Sequence, residues 1–165
     1  MGGLQTEIAF MKAIGTLSRD SGWTDVLVNA KLATSGFADS FISASHVTRT
    51  RHANQLTVCA LFKLMKVAYE LYLLLCAAVE EKALPLDGWK LIMAKTSPTF
   101  HFWFLIMQLE VLLLVFLSSL RHGNFPLYVQ SLTKMAPWFF ALDQQNYARW
   151  LTVHIKDMKE MHSGQ

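Results

Sequence analysis

The sequence predicts an all-α protein, a single irregular helical domain with two long apolar helices and several short ones. Three observations carry that prediction. Apolar residues recur at three- and four-residue spacing along much of the chain, no stretch alternates apolar and polar residues convincingly, and no hairpin-type turn joins two apolar runs. The 165 residues fit one domain, 1–165, and can bury a core without metal or disulfide.

From Leu4 to Leu17 the apolar residues Leu4, Ile8, Met11, Ile14 and Leu17 form one helical stripe, stopped by Ser18 to Gly22. A short helix follows, with Thr24 as its cap, Asp25 near its positive end, and Val26 to Leu32 as its body. Gly36 punctuates the chain before a short apolar turn at Phe37, Phe41 and Ile42, and Ser43 to Arg51 is polar, basic and hydroxyl-rich. The first long helix runs from about His52 to Ala83 and is redirected by Pro85. Leu84 to Lys95 is a shorter segment, then Ser97-Pro98-Thr99 makes a turn in which Ser97 or Thr99 caps the second long helix, Phe100 to Leu120. That helix stops at Arg121-His122-Gly123-Asn124, a basic last turn followed by glycine. Phe125 to Thr133 reads as another helix, Pro137 restarts the chain, and Asp143 caps a last helix, Tyr147 to Met161.

The chain is 53% hydrophobic and only 16% charged, against about 25% charged in ordinary soluble domains. That is more apolar side chain than one small domain comfortably hides. Three readings account for the surplus: a deeply packed helical domain, a fragment lacking its partner surface, or a membrane protein. The net charge is +3, with fifteen basic residues scattered among twelve acidic ones. A dedicated nucleic-acid binder concentrates its Lys and Arg, and the densest basic cluster here is short: His46, Arg49, Arg51 and His52. These four are the nucleic-acid-binding candidates, weighed against a solvated helix start.

Cys59 and Cys76 match neither a zinc site nor a disulfide framework, so a reducing compartment, nucleus or cytoplasm, is the expectation. No basic-then-apolar secretory signal opens the chain. Met1-Gly2-Gly3-Leu4-Gln5-Thr6 fits the loose N-myristoylation pattern, but no polybasic run follows to make a single acyl chain a stable anchor. The plainer reading of Gly2-Gly3 is a turn before a helix.

Phe102 to Leu120 contains only Gln108, Glu110, Ser118 and Ser119 as non-apolar residues, and its length can cross a hydrocarbon core of about 30 Å. Glu110 sits near its middle, where an acidic residue costs roughly 2.5–3.5 kcal/mol to insert. A helix apolar all round also suits the centre of a helical domain, and that is the favoured expectation. A single span over 102–120 is the alternative.

Glu110 is the one catalytic candidate. Buried and ionised it needs a partner, for which Arg121, Arg149 or a lysine would serve. A structural ion pair is the commoner origin of such a residue than an active-site carboxylate. Asp143 and Asp157 are not spaced to join it in a metal site. None of the six histidines stands three or four residues from another, no nucleophile elbow surrounds Ser45 or Cys59, and no Gly-rich phosphate loop occurs. No metal site and no cofactor are expected.

Several stretches together resemble a known family: Gly2-Gly3-Leu4-Gln5-Thr6-Glu7-Ile8-Ala9-Phe10, Ala44-Ser45-His46-Val47-Thr48-Arg49-Thr50-Arg51, Phe102-Trp103 with Leu109-Glu110, Arg121-His122-Gly123-Asn124-Phe125, Ala136-Pro137-Trp138-Phe139-Phe140-Ala141-Leu142-Asp143 and Asn146-Tyr147-Ala148-Arg149-Trp150. They resemble the C-terminal half of multi-copy, largely uncharacterised, mobile-element-derived proteins of invertebrate animal genomes, similar to a domain of unknown function found beside transposons. Members of that family continue upstream of the Gly-Gly, with an acidic residue in a strand-forming region, and commonly carry histidine where this chain has Gln5. The resemblance therefore implies a fragment that pairs with an N-terminal domain or another protein surface. It also implies a non-catalytic interaction domain, with Glu110 an orphan if the ancestor was a nuclease-like transposase. The alternative is a remnant of a nucleic-acid-processing enzyme in which Glu110 holds a metal and nucleic acid is the partner.

Overall fold

The computed structural model describes residues 2–142 and 144–163, with side chains described as far as Glu160. Among them are eight helices and no strand: α1 (Gly3–Leu17), α2 (Trp23–Asn29), α3 (Ser35–Ile42), α4 (Val47–Ala78), α5 (Leu86–Thr96), α6 (Pro98–Arg121), α7 (Phe125–Ala141) and α8 (Gln145–Ser163). The two long helices are α4 and α6, and the all-α architecture is as the sequence predicts.

The main core forms where α1, the second half of α6, α7 and α8 meet. Phe10, Met11 and Ile14 of α1 pack with Leu109, Leu113 and Phe116 of α6, Leu132, Met135 and Phe139 of α7, and Leu151 of α8. The Phe10 and Phe139 rings meet edge to face, 5.6 Å between centroids, a geometry that adds about 0.5–1.5 kcal/mol to area burial. A second cluster, Trp23, Leu27, Phe41 and Ala53, ties α2 and α3 to the start of α4. There the Trp23 indole N–H donates to Thr57 Oγ1 at 2.8 Å. The third, Val58, Met65, Trp89 and Met107, joins the middle of α4 to α5 and the first half of α6. Tyr69 and Tyr72 flank Trp89 and hold the α4–α5 connection: the Tyr69 hydroxyl donates to the Leu84 carbonyl, and the Leu84 N–H donates to the Tyr72 hydroxyl.

Several boundaries differ from the sequence reading, each for a local reason. α4 starts at Val47 rather than at about His52, so Arg49, Arg51 and His52 all lie on its first turns. It ends at Ala78 rather than Ala83. Glu80 takes a left-handed φ of 57°, and the Glu81 N–H returns to the Cys76 carbonyl at 2.9 Å, the bond that closes a helix C-terminus. Gly36 lies inside α3 and does not punctuate it. α2 begins from Gly22, at φ 83°, with Ser21 Oγ accepting from the Trp23 N–H, so Thr24 is within the helix and is not its cap.

Pro137 does not restart the chain, because α7 runs through it. An interior proline costs about 3 kcal/mol in a helix, and here the fully buried Met135 and Phe139 hold the backbone on either side. Ser97 caps α6 by accepting from the Phe100 N–H at 3.2 Å, as expected. Asp143 lies outside the described residues. Gly15 is a contact the sequence reading passed over: a Cβ there would stand 2.4 Å from the Ile42 carbonyl oxygen, so α1 and α3 touch backbone to backbone.

Candidate functional site

Glu110 sits on the inner face of α6 and is 0% exposed. Neither carboxylate oxygen has a hydrogen-bond partner among the described residues, and no ion pair reaches it from Arg121 or Arg149, both on the surface. Burial alone pushes its pKa up to about 9, because the charged form is penalised out of water. At neutral pH Glu110 is a protonated, uncharged acid. No group of three or more His, Cys, Asp or Glu side chains that could hold a metal occurs among the described residues, and no charged neighbour contributes to the shift of Glu110.

The ion pair expected around Glu110 forms elsewhere. Glu7 of α1 is 3% exposed and takes a two-pronged contact from Arg51 of α4, with Nε at 2.6 Å and an Nη at 2.9 Å. The hydrogen bonds to Glu7 raise the Arg51 pKa against the opposing effect of burial. Glu7 falls on the same face of α1 as Phe10 and Ile14, three and seven residues on. A carboxylate inside an apolar stripe is the signal that could have found this pair, since it demands a cation from another helix.

The four basic candidates divide. Arg51 is committed to Glu7. His46 and Arg49 are exposed and bracket the Phe37 ring, the imidazole centroid 4.8 Å and the guanidinium carbon 4.9 Å from its centre. Arg49, Arg51 and His52, with Thr48, form one wall of a cleft of about 770 Å³, while His46 stands outside it. The opposite wall comes from the α2–α3 connection (Lys31 to Thr34) and Phe37, and Arg121 enters from the end of α6. Lys31 and Arg121 were not among the sequence candidates. Only the packing of α6 beside α4 brings residues this far apart in the chain to one cleft.

Next to the cleft runs an apolar groove of about 650 Å³ between α2, α4, α5 and the first half of α6, floored by Trp23, Leu61, Met65, Phe100, Trp103 and Met107. Leu32 and Leu56 line both. Beyond the groove, Leu71, Leu74 and Leu75 of α4, Val79 just after it, and Leu91 and Ile92 of α5 are exposed. Among the described residues one helix, α6, is long and apolar enough to cross a membrane, and 39% of its most apolar window is buried within the protein.

Residues 87–164, from α5 to the end of α8, match the model of a domain of unknown function (DUF8702). No curated protein and no solved structure matches the chain. The matched segment takes its core partly from outside itself, since Phe10, Met11 and Ile14 of α1 pack into it.

Proposed function

We propose that this chain is a non-catalytic helical interaction domain of a mobile-element-derived protein, which uses its apolar groove and the adjoining face of α4 and α5 to receive an apolar segment of a partner protein. The observation that carries the reading is the concentration of exposed leucine on one side of the molecule: Leu64, Leu74 and Leu75 are each about two-thirds exposed. Contiguous apolar surface on that scale marks interaction sites. Against catalysis by Glu110 stand its complete burial and the lack, among the described residues, of a group of side chains that could hold a metal. The mobile-element origin rests on the sequence resemblance, and the match over residues 87–164 to a domain without assigned function is compatible with it.

The test is light scattering and apolar-dye fluorescence on the purified chain, with Leu64→Glu and Leu71→Glu combined as the comparison. Self-association or strong dye binding that falls in the variant, with helical circular dichroism unchanged, is the expected result. A monodisperse parent that binds no dye overturns the reading. Recovery only in detergent would instead assign α6 and the groove to a membrane.

A further inference from the structure

We infer that the cleft between the α2–α3 connection, the first turns of α4 and the end of α6 binds single-stranded nucleic acid, with phosphates held by Lys31, Arg49 and Arg121 and a base laid against the apolar wall of Leu32 and Leu56. Four permanent cations line the cleft and no acidic residue does. Arg51 is neutralised by Glu7, whereas Lys31, Arg49 and Arg121 form no ion pair among the described residues. The first turn of α4 adds unpaired backbone N–H groups at the positive end of its dipole, which favours anions.

The apolar lining selects among anions. The Phe37 ring is already covered by His46 and Arg49, and Leu32 and Leu56 present apolar walls beside the cations. Interleaved cations and apolar side chains suit a strand whose bases are unpaired and can lie against them, each such base and each phosphate adding to affinity. A duplex keeps its bases inside and offers only its phosphate ridges, which have no use for apolar walls. A carboxylate-rich peptide satisfies the cations and leaves the apolar walls unused.

The test is fluorescence anisotropy of a labelled mixed-sequence 20-nucleotide single strand, titrated with the full chain at several salt concentrations. Three phosphate contacts predict a slope of log affinity against log salt of about −2, hence a roughly 10- to 20-fold loss between 50 and 200 mM salt. The Lys31→Ala, Arg49→Ala, Arg121→Ala triple variant should lose at least tenfold in affinity and most of that slope. The triple variant Lys12→Ala, Lys66→Ala, Lys95→Ala, which removes the same charge elsewhere, should lose little. Leu32→Ser should weaken single-strand binding while leaving the salt slope intact. Equal losses in the two triple variants, or no binding by the parent at 50 mM salt, overturn the proposal. So does displacement of the strand by a poly-glutamate peptide as effective, charge for charge, as unlabelled oligonucleotide, which would make the cleft an acidic-peptide site. All the variants alter exposed or half-buried side chains, and unchanged circular dichroism establishes that they fold.

Discussion

Two leucine-rich stretches of this chain meet opposite fates. In the second half of α6, Leu113 and Phe116 are 0% exposed, while in the last third of α4, Leu74 and Leu75 are 66% and 68% exposed. Their compositions are similar, so composition does not decide burial. The difference is the number of surfaces on offer. α6 beyond Met107 is met by α1 and α7, with α8 closing the same core, but among the described residues α4 beyond Met65 meets only α5, the start of α6 and the Leu84 connection. One stretch is a finished core and the other leaves its leucines on the surface.

The sharpest way to break that comparison is to delete side chains from each. Phe116→Ala should cost about 3–5 kcal/mol in denaturant unfolding, whereas Leu74→Ala should change stability by no more than about 0.5 kcal/mol. Comparable losses at the two sites would mean that the α4 face is covered in solution. Next comes the buried ion pair. Arg51→Met leaves Glu7 uncompensated inside the protein and should cost roughly 3 kcal/mol, while the double variant Glu7→Gln, Arg51→Met should recover part of that loss, both read by thermal unfolding.

Glu110 sharpens the comparison through pH. Its folded pKa, about 9, lies above the ordinary 4.5, so the folded state binds a proton that the unfolded chain releases. The stability linked to this group is complete below pH 4.5 and is lost as pH rises through the window from 4.5 to about 9, at a slope of roughly 1.4 kcal/mol per pH unit. Glu110→Gln should abolish that slope. A slope unchanged in the variant would show that Glu110 does not titrate within the fold. The smallest effect is expected on the open face: Leu74→Glu with Leu75→Glu should shift the unfolding midpoint little while reducing dye binding and self-association.

Helix content and the Ser97 cap were legible because both are local. The stripe from Leu4 to Leu17, the serine before Pro98 and the glycine stop at Gly123 each say what they do within one or two turns. The ends of α2, α3 and α4 were not legible, because the left-handed residue that closes them is Lys31, Ala44 or Glu80, and a sequence reading looks for glycine there. Among the described residues glycine obeys that rule only at Gly123, after α6. The partner of Glu7 and the convergence of Lys31 and Arg121 on Arg49 were beyond reach for a different reason. They depend on which helices lie side by side, and a single sequence records periodicity within a helix but not the neighbour it is laid against. For Glu110 the sequence reading expects an arginine or lysine partner, and none reaches it among the described residues; burial instead pushes its pKa up to about 9.

That α6 crosses from one regime to the other has a consequence for amide hydrogen exchange. Amides around Leu109 to Leu117 lie in the core shared with α1 and α7 and should exchange only when the whole molecule unfolds. Those in the first turns, near Phe100 and Trp103, lean on the smaller cluster with α4 and α5 and border the open groove, so they should exchange by local opening at lower free energy. A single unbroken helix would then show two exchange timescales, with the step between them near Met107. Any ligand that fills the groove should slow the faster half and leave the slower half unchanged.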